Sequence, residues 1–528
     1  MPLSAIQSCT NWTCSSLHAS LLPAHGSLTQ KTTRYVLQIF QFLLSAPAAG
    51  FCCLLSGVES FVASRPVAPD SPLVAFAKHP TWERGNNPQE EMHWAVREGA
   101  KVPEIPVGAA TAAFHDNGPK RHEKTQFGKL YNEDHPELMH DDFKFPNMWE
   151  NPELFLEKIK ELNLKTFRFS VPRDLVEVNE GVFQEEAISK VVRFCERLKA
   201  LGVKPIVTLE HFTRPDYQTF ENDEGIDSFV NYAEKITDVL YQAGVRTIVT
   251  FNEVGVDPFQ GFMMGAFPPY SRLDCEGAAR VFFNMMKAHT RVYQAIKKGR
   301  GDLEVGFSHD PIRFRYFHKY NLLWSPIERL VSKVLTLVNH TMVMRALKTQ
   351  EVSLKIPFLS NYSASLEEPI PFDFIGLQYY SDPLVQLSFF GGNSVSRVPG
   401  EKISAYQFRQ YAQGLASAIE EMTGFHDKPI HLTEIGIDTG INKTGDDDHE
   451  RIAYFNRIFQ VVQRALDEGK KIESLELWTL IDNFDWHQGW TLPDHCPIRF
   501  GLYRFDHLTG DIAPRGLVPW LQRKLAGR

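Results

Sequence analysis

Two glutamates stand where strand-like runs end. Residues 246–253 read RTIVTFNE and deliver Glu253, and residues 428–434 read KPIHLTE and deliver Glu434. Two carboxyls brought from distant parts of a chain to one place are what general acid/base or covalent sugar chemistry requires. One group handles the proton on an oxygen, and the other attacks carbon or activates water. A single Glu at a strand end is commonplace. Two built alike call for a scaffold that brings them together.

That scaffold is written in the chain from about residue 104 onward. A short apolar strand, a polar end and an amphipathic helix recur. The strands expected are 105–114, 166–171, 204–212, 246–253, 304–309, 372–380, 428–434 and 473–482. Helical patterns separate them, as at 152–164, 187–202, 228–244 and 451–469. In the last of these Ile452, Phe455, Ile458, Phe459, Val462 and Leu466 share one face. Gly202, Gly244 and Gly469 stand where such helices stop. Eight alternating units predict an α/β fold, a single (β/α)8 TIM barrel over 104–528 preceded by a non-barrel N-terminal segment.

Barrels of this kind carry their sites at the C-terminal ends of the strands. Arg168, His211, Asn252, Glu253, Tyr380, Glu434 and Trp478 all fall at or near such ends. Each has an ordinary reading: Arg168 as a structural ion pair, His211 as a satisfied core histidine, Tyr380 as a core aromatic. Convergence of six strand ends on one rim favours a functional one.

Composition narrows the classes. The chain has 528 residues, 43% of them hydrophobic and 23% charged, which is globular composition. A net charge of −8 gives no electrostatic footprint for nucleic acid. The seven Cys lie without a CxxC pair, so neither a zinc site nor a disulfide scaffold is expected, and they read mostly as buried or free thiols. Asn11, Asn339, Asn361 and Asn442 open glycosylation triplets, which matter only in a secreted protein.

Residues 1–70 form a leader poor in charge, and 71–103 a linker. From Tyr35 to Val58 no charge occurs, long enough to span a bilayer. The stretch 35–58 reads either as a membrane anchor or uncleaved signal, or as an amphipathic or poorly ordered leader. Cytoplasmic and membrane-associated placements both stay open, as does a start near Met92. The oligomeric state is not set by the sequence.

Six motifs then fall in one order: Arg168-Phe-Ser170, His211-Phe-Thr-Arg-Pro215, Thr250-Phe-Asn-Glu-Val254, Leu432-Thr-Glu-Ile-Gly436, Trp478-Thr-Leu-Ile-Asp-Asn-Phe-Asp-Trp486 and Arg499-Phe-Gly-Leu-Tyr-Arg-Phe-Asp506. In them the chain resembles the family 1 glycoside hydrolases, β-glucosidase-like retaining β-glycosidases, over roughly residues 104–520. The resemblance implies a β-glycoside substrate, Glu434 as nucleophile and Glu253 as acid/base, with no metal or organic cofactor. It implies that Arg168 keeps Glu434 ionised, that Tyr380 orients it, and that Asn252 meets the sugar 2-hydroxyl. His115, His211, Gln378, Trp478, Asp485 and Trp486 would contact the substrate, with Trp478 as the floor of the sugar site.

The chain departs from the family pattern in the sugar-binding shell. His115 stands for a Gln, Phe212 for a Trp, Gln378 for an Asn and Asp485 for a Glu. Val254 replaces a Pro and Ile435 an Asn. The catalytic pair is intact, so catalysis is expected to be retained without an assured preference for glucose. Two other readings remain: a transglycosidase that passes the sugar to a lipid or sugar acceptor, and a non-catalytic sugar-binding barrel. Loops around 255–275 and 385–400 are expected to form the aglycone wall.

Overall fold

The computed structural model describes residues 101–527 apart from 135–140, 317–324, 358, 388–392, 396–403, 405–407, 439–447, 487–488 and 491–497. The leader and its stretch 35–58 lie outside the described residues, as does most of the linker. Among the described residues no helix is long and apolar enough to cross a membrane.

Eight strands form the centre: β1 (Val107–Ala110), β2 (Thr166–Ser170), β3 (Lys204–Glu210), β4 (Thr247–Phe251), β5 (Glu304–His309), β6 (Phe374–Tyr379), β7 (Ile430–Ile435) and β8 (Ile472–Trp478). They pair in the order β1-β8-β7-β6-β5-β4-β3-β2, and the ring closes. Every pairing is parallel. This is the expected (β/α)8 TIM barrel. The strands are near-continuous runs of apolar and β-branched residues, because one face fills the barrel and helices cover the other.

Helices follow the strands: α1 (Pro152–Glu161), α2 (Glu185–Ala200), α3 (Asp223–Gln242), α4 (Cys275–Lys297), α5 (Met342–Thr349), α6 (Ala412–Thr423), α7 (His449–Asp467) and α8 (Leu517–Ala526). Phe455, Ile458, Phe459 and Val462 of α7 are buried, whereas Ile452 and Leu466 stay partly exposed. Gly202, Gly244 and Gly469 take φ of +73°, +84° and +80° just beyond α2, α3 and α7, the left-handed step that ends a helix.

Three local features differ from the expectation. β1 stops at Ala110, and residues Ala113–Asn117 form a short helix, so His115 sits on a turn above the strand. Between β5 and β6 a helix (Ser325–Thr336) widens through a π-type turn (Leu337–Thr341) into α5, and an antiparallel hairpin (Glu351–Ile356, Ser360–Ser365) follows. Asn339 is buried in that turn and donates to the Asp310 carbonyl at 3.2 Å, so it offers no surface for a glycan. Cys195 and Cys275 are buried free thiols, as expected.

The lower barrel encloses a carboxyl. Glu476 of β8 accepts from Thr166 Oγ1 at 2.7 Å and from Ser474 Oγ at 2.6 Å. Gly108 of β1 leaves the room, since a Cβ there would stand 2.1 Å from the Glu476 Oε2. Burial pushes Glu476 up to about 7, against the opposing pull of its two hydrogen bonds and of Arg168. A carboxyl whose folded pKa lies above its unfolded one binds the proton more tightly when folded. Stability therefore falls as pH rises between the two values, by about 3 kcal/mol for a shift of this size. Glu476→Gln is expected to flatten that fall. Urea midpoints at pH 5 and pH 8 should show the variant gaining on the natural chain at pH 8 far more than at pH 5.

Candidate active site

Arg168 lies mid-strand in β2, not at its end, and is fully buried. Its length carries the charge up to the rim. Nη1 pairs with Glu434 Oε1, Nη2 donates to Asn252 Oδ1 at 2.6 Å, and Nε donates to Thr208 Oγ1 at 3.1 Å. Tyr380, just past β6, donates to the other Glu434 oxygen at 2.5 Å.

Glu434 is placed by an irregularity in β7. Leu377 of β6 pairs with Leu432, but Gln378 pairs with Glu434, so β7 carries one extra residue at that point. The same surplus shows toward β8, where Leu432 and Ile435 face Leu475 and Leu477. A bulge of this kind re-aims a side chain at a barrel rim.

Asn252 and Glu253 follow β4 directly. The Asn252 carbonyl oxygen accepts from both Arg168 and Gln378, the latter at 2.7 Å, which fixes the sense of the amide. Its Nδ2 is then a buried donor with no partner among the described residues. Glu253 takes φ of +43°, a conformation rare for a side chain of its size. Backbone strain of that sort persists where surrounding structure enforces it, commonly at functional sites. Here the Val254 N–H donates to the Ser308 carbonyl at 3.0 Å, and Gly255 packs so closely that a Cβ would stand 2.1 Å from the Asn339 carbonyl.

The two carboxyls differ in environment. Burial, then the charges of Glu434 and Asp310, hold Glu253 well above the usual carboxylate range. Burial raises Glu434 as well, but Arg168 and the hydrogen bonds from Tyr380 and Gln378 oppose it. Of the pair, Glu434 is the one whose charge is supported and Glu253 the one pushed further toward its protonated form.

Across the ring stands an aromatic wall. The Trp486 ring stacks on Phe114 at 5.0 Å and meets His115 edge-on at 4.3 Å. His115 also meets Trp478 at 5.5 Å, and His211 lies 6.2 Å from Trp478 and 6.1 Å from Trp486. His115 is lowered to about 4 by burial, opposed by the Asp485 charge and a contact with Asn483. His211 is held well below the ordinary value by burial and by Arg168. Both rings are neutral near pH 7, and each then has one N–H donor and one acceptor to offer. His211 Nε2 is 4.0 Å from Glu434 Oε1. Asp485, next to Trp486, is partly exposed, and its backbone pairs with Gly489.

The structure thus gathers Arg168, Asn252, Glu253, Gln378, Tyr380, Glu434 and His211 around one rim, with His115, Trp478 and Trp486 as a wall and Asp485 bordering His115. Sequence reasoning passed over Asp310, directly after β5, where the polar Ser308-His309 blurs the apolar run that marks Glu253 and Glu434. The 255–275 segment begins directly after Glu253, and the Val256 N–H donates to the Glu253 carbonyl at 2.8 Å. Much of 385–400 lies outside the described residues. Among the described residues, no group of three or more His, Cys, Asp or Glu is placed to hold a metal ion.

Comparison with known proteins agrees with this geometry. Residues 147–515 match the sequence profile of glycosyl hydrolase family 1. A 6-phospho-beta-galactosidase of Streptococcus mutans is 26% identical over 369 residues, covering 61% of this chain and 75% of the relative. Among solved structures, a beta-glycosidase from Pyrococcus horikoshii superposes with a TM-score of 0.66 at 22% identity, over 80% of this chain and 94% of the other. A beta-glucosidase from Thermotoga maritima, in complex with noeuromycin, gives 0.67 at 20% identity, over 81% and 99%. These two likenesses are likenesses of fold.

The Arg168–Glu434 pair yields a measurable expectation. Arg168→Met leaves a carboxylate and an amide oxygen buried without their cation and should cost about 3–5 kcal/mol of stability. Adding Glu434→Gln removes the stranded charge and should recover a substantial part of the loss. Chemical denaturation of the two single variants and the double variant would show this as a coupling that additivity fails to predict.

Proposed function

Since this chain belongs to glycosyl hydrolase family 1, a family of glycosidases, we propose that it is a retaining β-glycosidase acting by double displacement. The observation that carries the reading is the asymmetry of the carboxyl pair: one braced by a guanidinium and a phenol, the other kept protonated by burial and like charge. Glu434 attacks the anomeric carbon while Glu253 gives its proton to the glycosidic oxygen. The C–O bond to the aglycone breaks, the aglycone leaves as an alcohol, and a glycosyl ester forms on Glu434. Glu253, now a carboxylate, takes a proton from water as that water attacks the anomeric carbon. The ester breaks, and the sugar leaves with its β-configuration restored.

The surrounding groups fit this role. Asn252 Nδ2 is the free donor suited to the sugar 2-hydroxyl, where hydrogen bonds tighten in the transition state. The Trp478–Trp486 wall suits the apolar face of a pyranose ring. His115 supplies one donor and one acceptor, so its grip on the sugar hydroxyls is looser than an amide's paired contact. The Streptococcus mutans relative is named for a 6-phosphorylated substrate. Here Asp485 borders the wall, and its negative charge disfavours a phosphate there. A neutral glycone of the β-glucoside or β-galactoside type is the better match. Water is the acceptor in this reading, and a sugar or lipid hydroxyl in its place would make the same ester a transglycosylation intermediate.

Initial rates on aryl β-glucoside, galactoside, fucoside, mannoside and 6-phospho forms, with Glu434→Ala alongside, test the proposal. Turnover abolished by the substitution is expected, with the neutral sugars ahead. Equal and negligible rates for both proteins would overturn it. Glu253→Ala should lose far more rate on a poor leaving group, such as phenol, than on dinitrophenol, which departs without a proton. For kcat/KM against pH, the alkaline limb should report deprotonation of Glu253 and be absent in Glu253→Gln assayed on the dinitrophenyl glycoside.

A further inference from the structure

Asp310 sits immediately past β5, diametrically opposite β1 in the ring and so across the barrel mouth from the aromatic wall. It is only 5% exposed. Its carboxyl makes no hydrogen bond and no ion pair among the described residues, and its Oδ1 is fully buried. Only its main-chain carbonyl is held, by Asn339 Nδ2 at 3.2 Å and the Ile312 N–H at 2.9 Å. A buried, unpartnered carboxyl is costly and calls for a reason.

Its neighbours say where its influence falls. The Asp310 charge reaches Glu434, Glu253 and Tyr380, the groups that surround the scissile bond in the reading above. Among the described residues the one cation whose charge reaches Asp310 is Arg313. That guanidinium is engaged elsewhere: it lies 3.6 Å from Glu421 and 3.8 Å from Asp382, and it donates to the Gly414 carbonyl at 2.8 Å. At the centre, Arg168 balances Glu434, and Glu253 holds its own proton. Asp310 is the carboxyl left over, held well above the usual carboxylate range by burial and by the charges of Glu434 and Asp382.

On the glycosidase reading, which this inference rests on and deepens, we propose that Asp310 selects the leaving group: it receives a protonated amine carried by the aglycone close to the glycosidic oxygen. The sugar lies against the wall formed over β1 and β8, with the acid on β4. The aglycone must then leave toward the arc of β4 to β6, where Asp310 stands. The empty site leaves a proton on Asp310; an arriving ammonium releases that proton to solvent, and a charge-assisted hydrogen bond replaces a buried orphan. A hydroxyl at the same place leaves that proton where it is and gives only a neutral hydrogen bond.

The test separates binding from turnover. Non-hydrolysable 2-aminoethyl 1-thio-β-glucoside and 1-thio-β-galactoside are titrated calorimetrically against their 2-hydroxyethyl counterparts, with the natural chain and with Asp310→Asn. The natural chain should bind at least one amine about tenfold more tightly than its hydroxyl partner. Asp310→Asn should bring that ratio close to one. Asp310→Ser serves if the Asn variant does not fold. Equal affinity for amine and hydroxyl in the natural chain, failure of both amines to bind it at millimolar concentration, or a preference that survives the substitution would each overturn the assignment. These outcomes need no catalysis. Loss of the glycosidase reading would show instead as a silent aryl-glycoside panel.

Discussion

One guanidinium, buried in the barrel, sets the terms for everything around it. Arg168 rises from the middle of β2 and is satisfied by three different elements: Thr208 on β3, Asn252 beyond β4 and Glu434 on β7. A charge so far from water survives only if each of its donors finds an acceptor. That requirement ties the two catalytic loops to a common anchor. The Asn252 amide is turned by it, and the neighbouring Glu253 is turned in consequence. The Glu434 carboxylate is held by it and completed by Tyr380. Burial raises both glutamates, and the guanidinium, with Tyr380 and Gln378, works against that rise at Glu434.

The backbone accommodates that anchor in two ways. β7 takes an extra residue so that Glu434 stands level with Gln378. The chain after β4 turns through a left-handed residue at Glu253. Behind that turn, His309 Nε2 lies 3.0 Å from His340 Nδ1, and His340 Nε2 lies 3.0 Å from Glu421 Oε2. This chain of side chains ties the end of β5 and the π-type turn to α6. The acid loop therefore rests on a braced surface, and its strained residue has little room to relax.

Much of this could be read from the sequence because strand ends announce themselves. Apolar runs stopping at Glu253, Glu434 and Trp478 gave both the eight strands and most of the rim. What escaped was of a different physical kind. The helix carrying His115 is five residues long and follows alanines, which suit strand or helix alike. The mid-strand position of Arg168 is invisible to a rule that looks at ends, because a long side chain moves its charge away from its own backbone. The bulge in β7 leaves no trace in composition. Asp310 was overlooked because the preceding Ser-His is polar, so no sharp change from apolar to acidic marks it.

The ring order divides the rim into two arcs. The two glutamates and the side chains that hold them come from β2, β4, β6 and β7, whereas His115, Trp478 and Trp486 come from the arc of β1 and β8. The arcs meet along the β1–β2 and β7–β8 pairings, and His211 stands 6.2 Å from Trp478 and 6.1 Å from Trp486. The chain's departures from its family lie mostly in side chains that would touch the sugar or flank the catalytic motifs, while both glutamates and their guanidinium stand unaltered. On the glycosidase reading, recognition is the part of this chain that departs from the family pattern and chemistry the part that keeps to it.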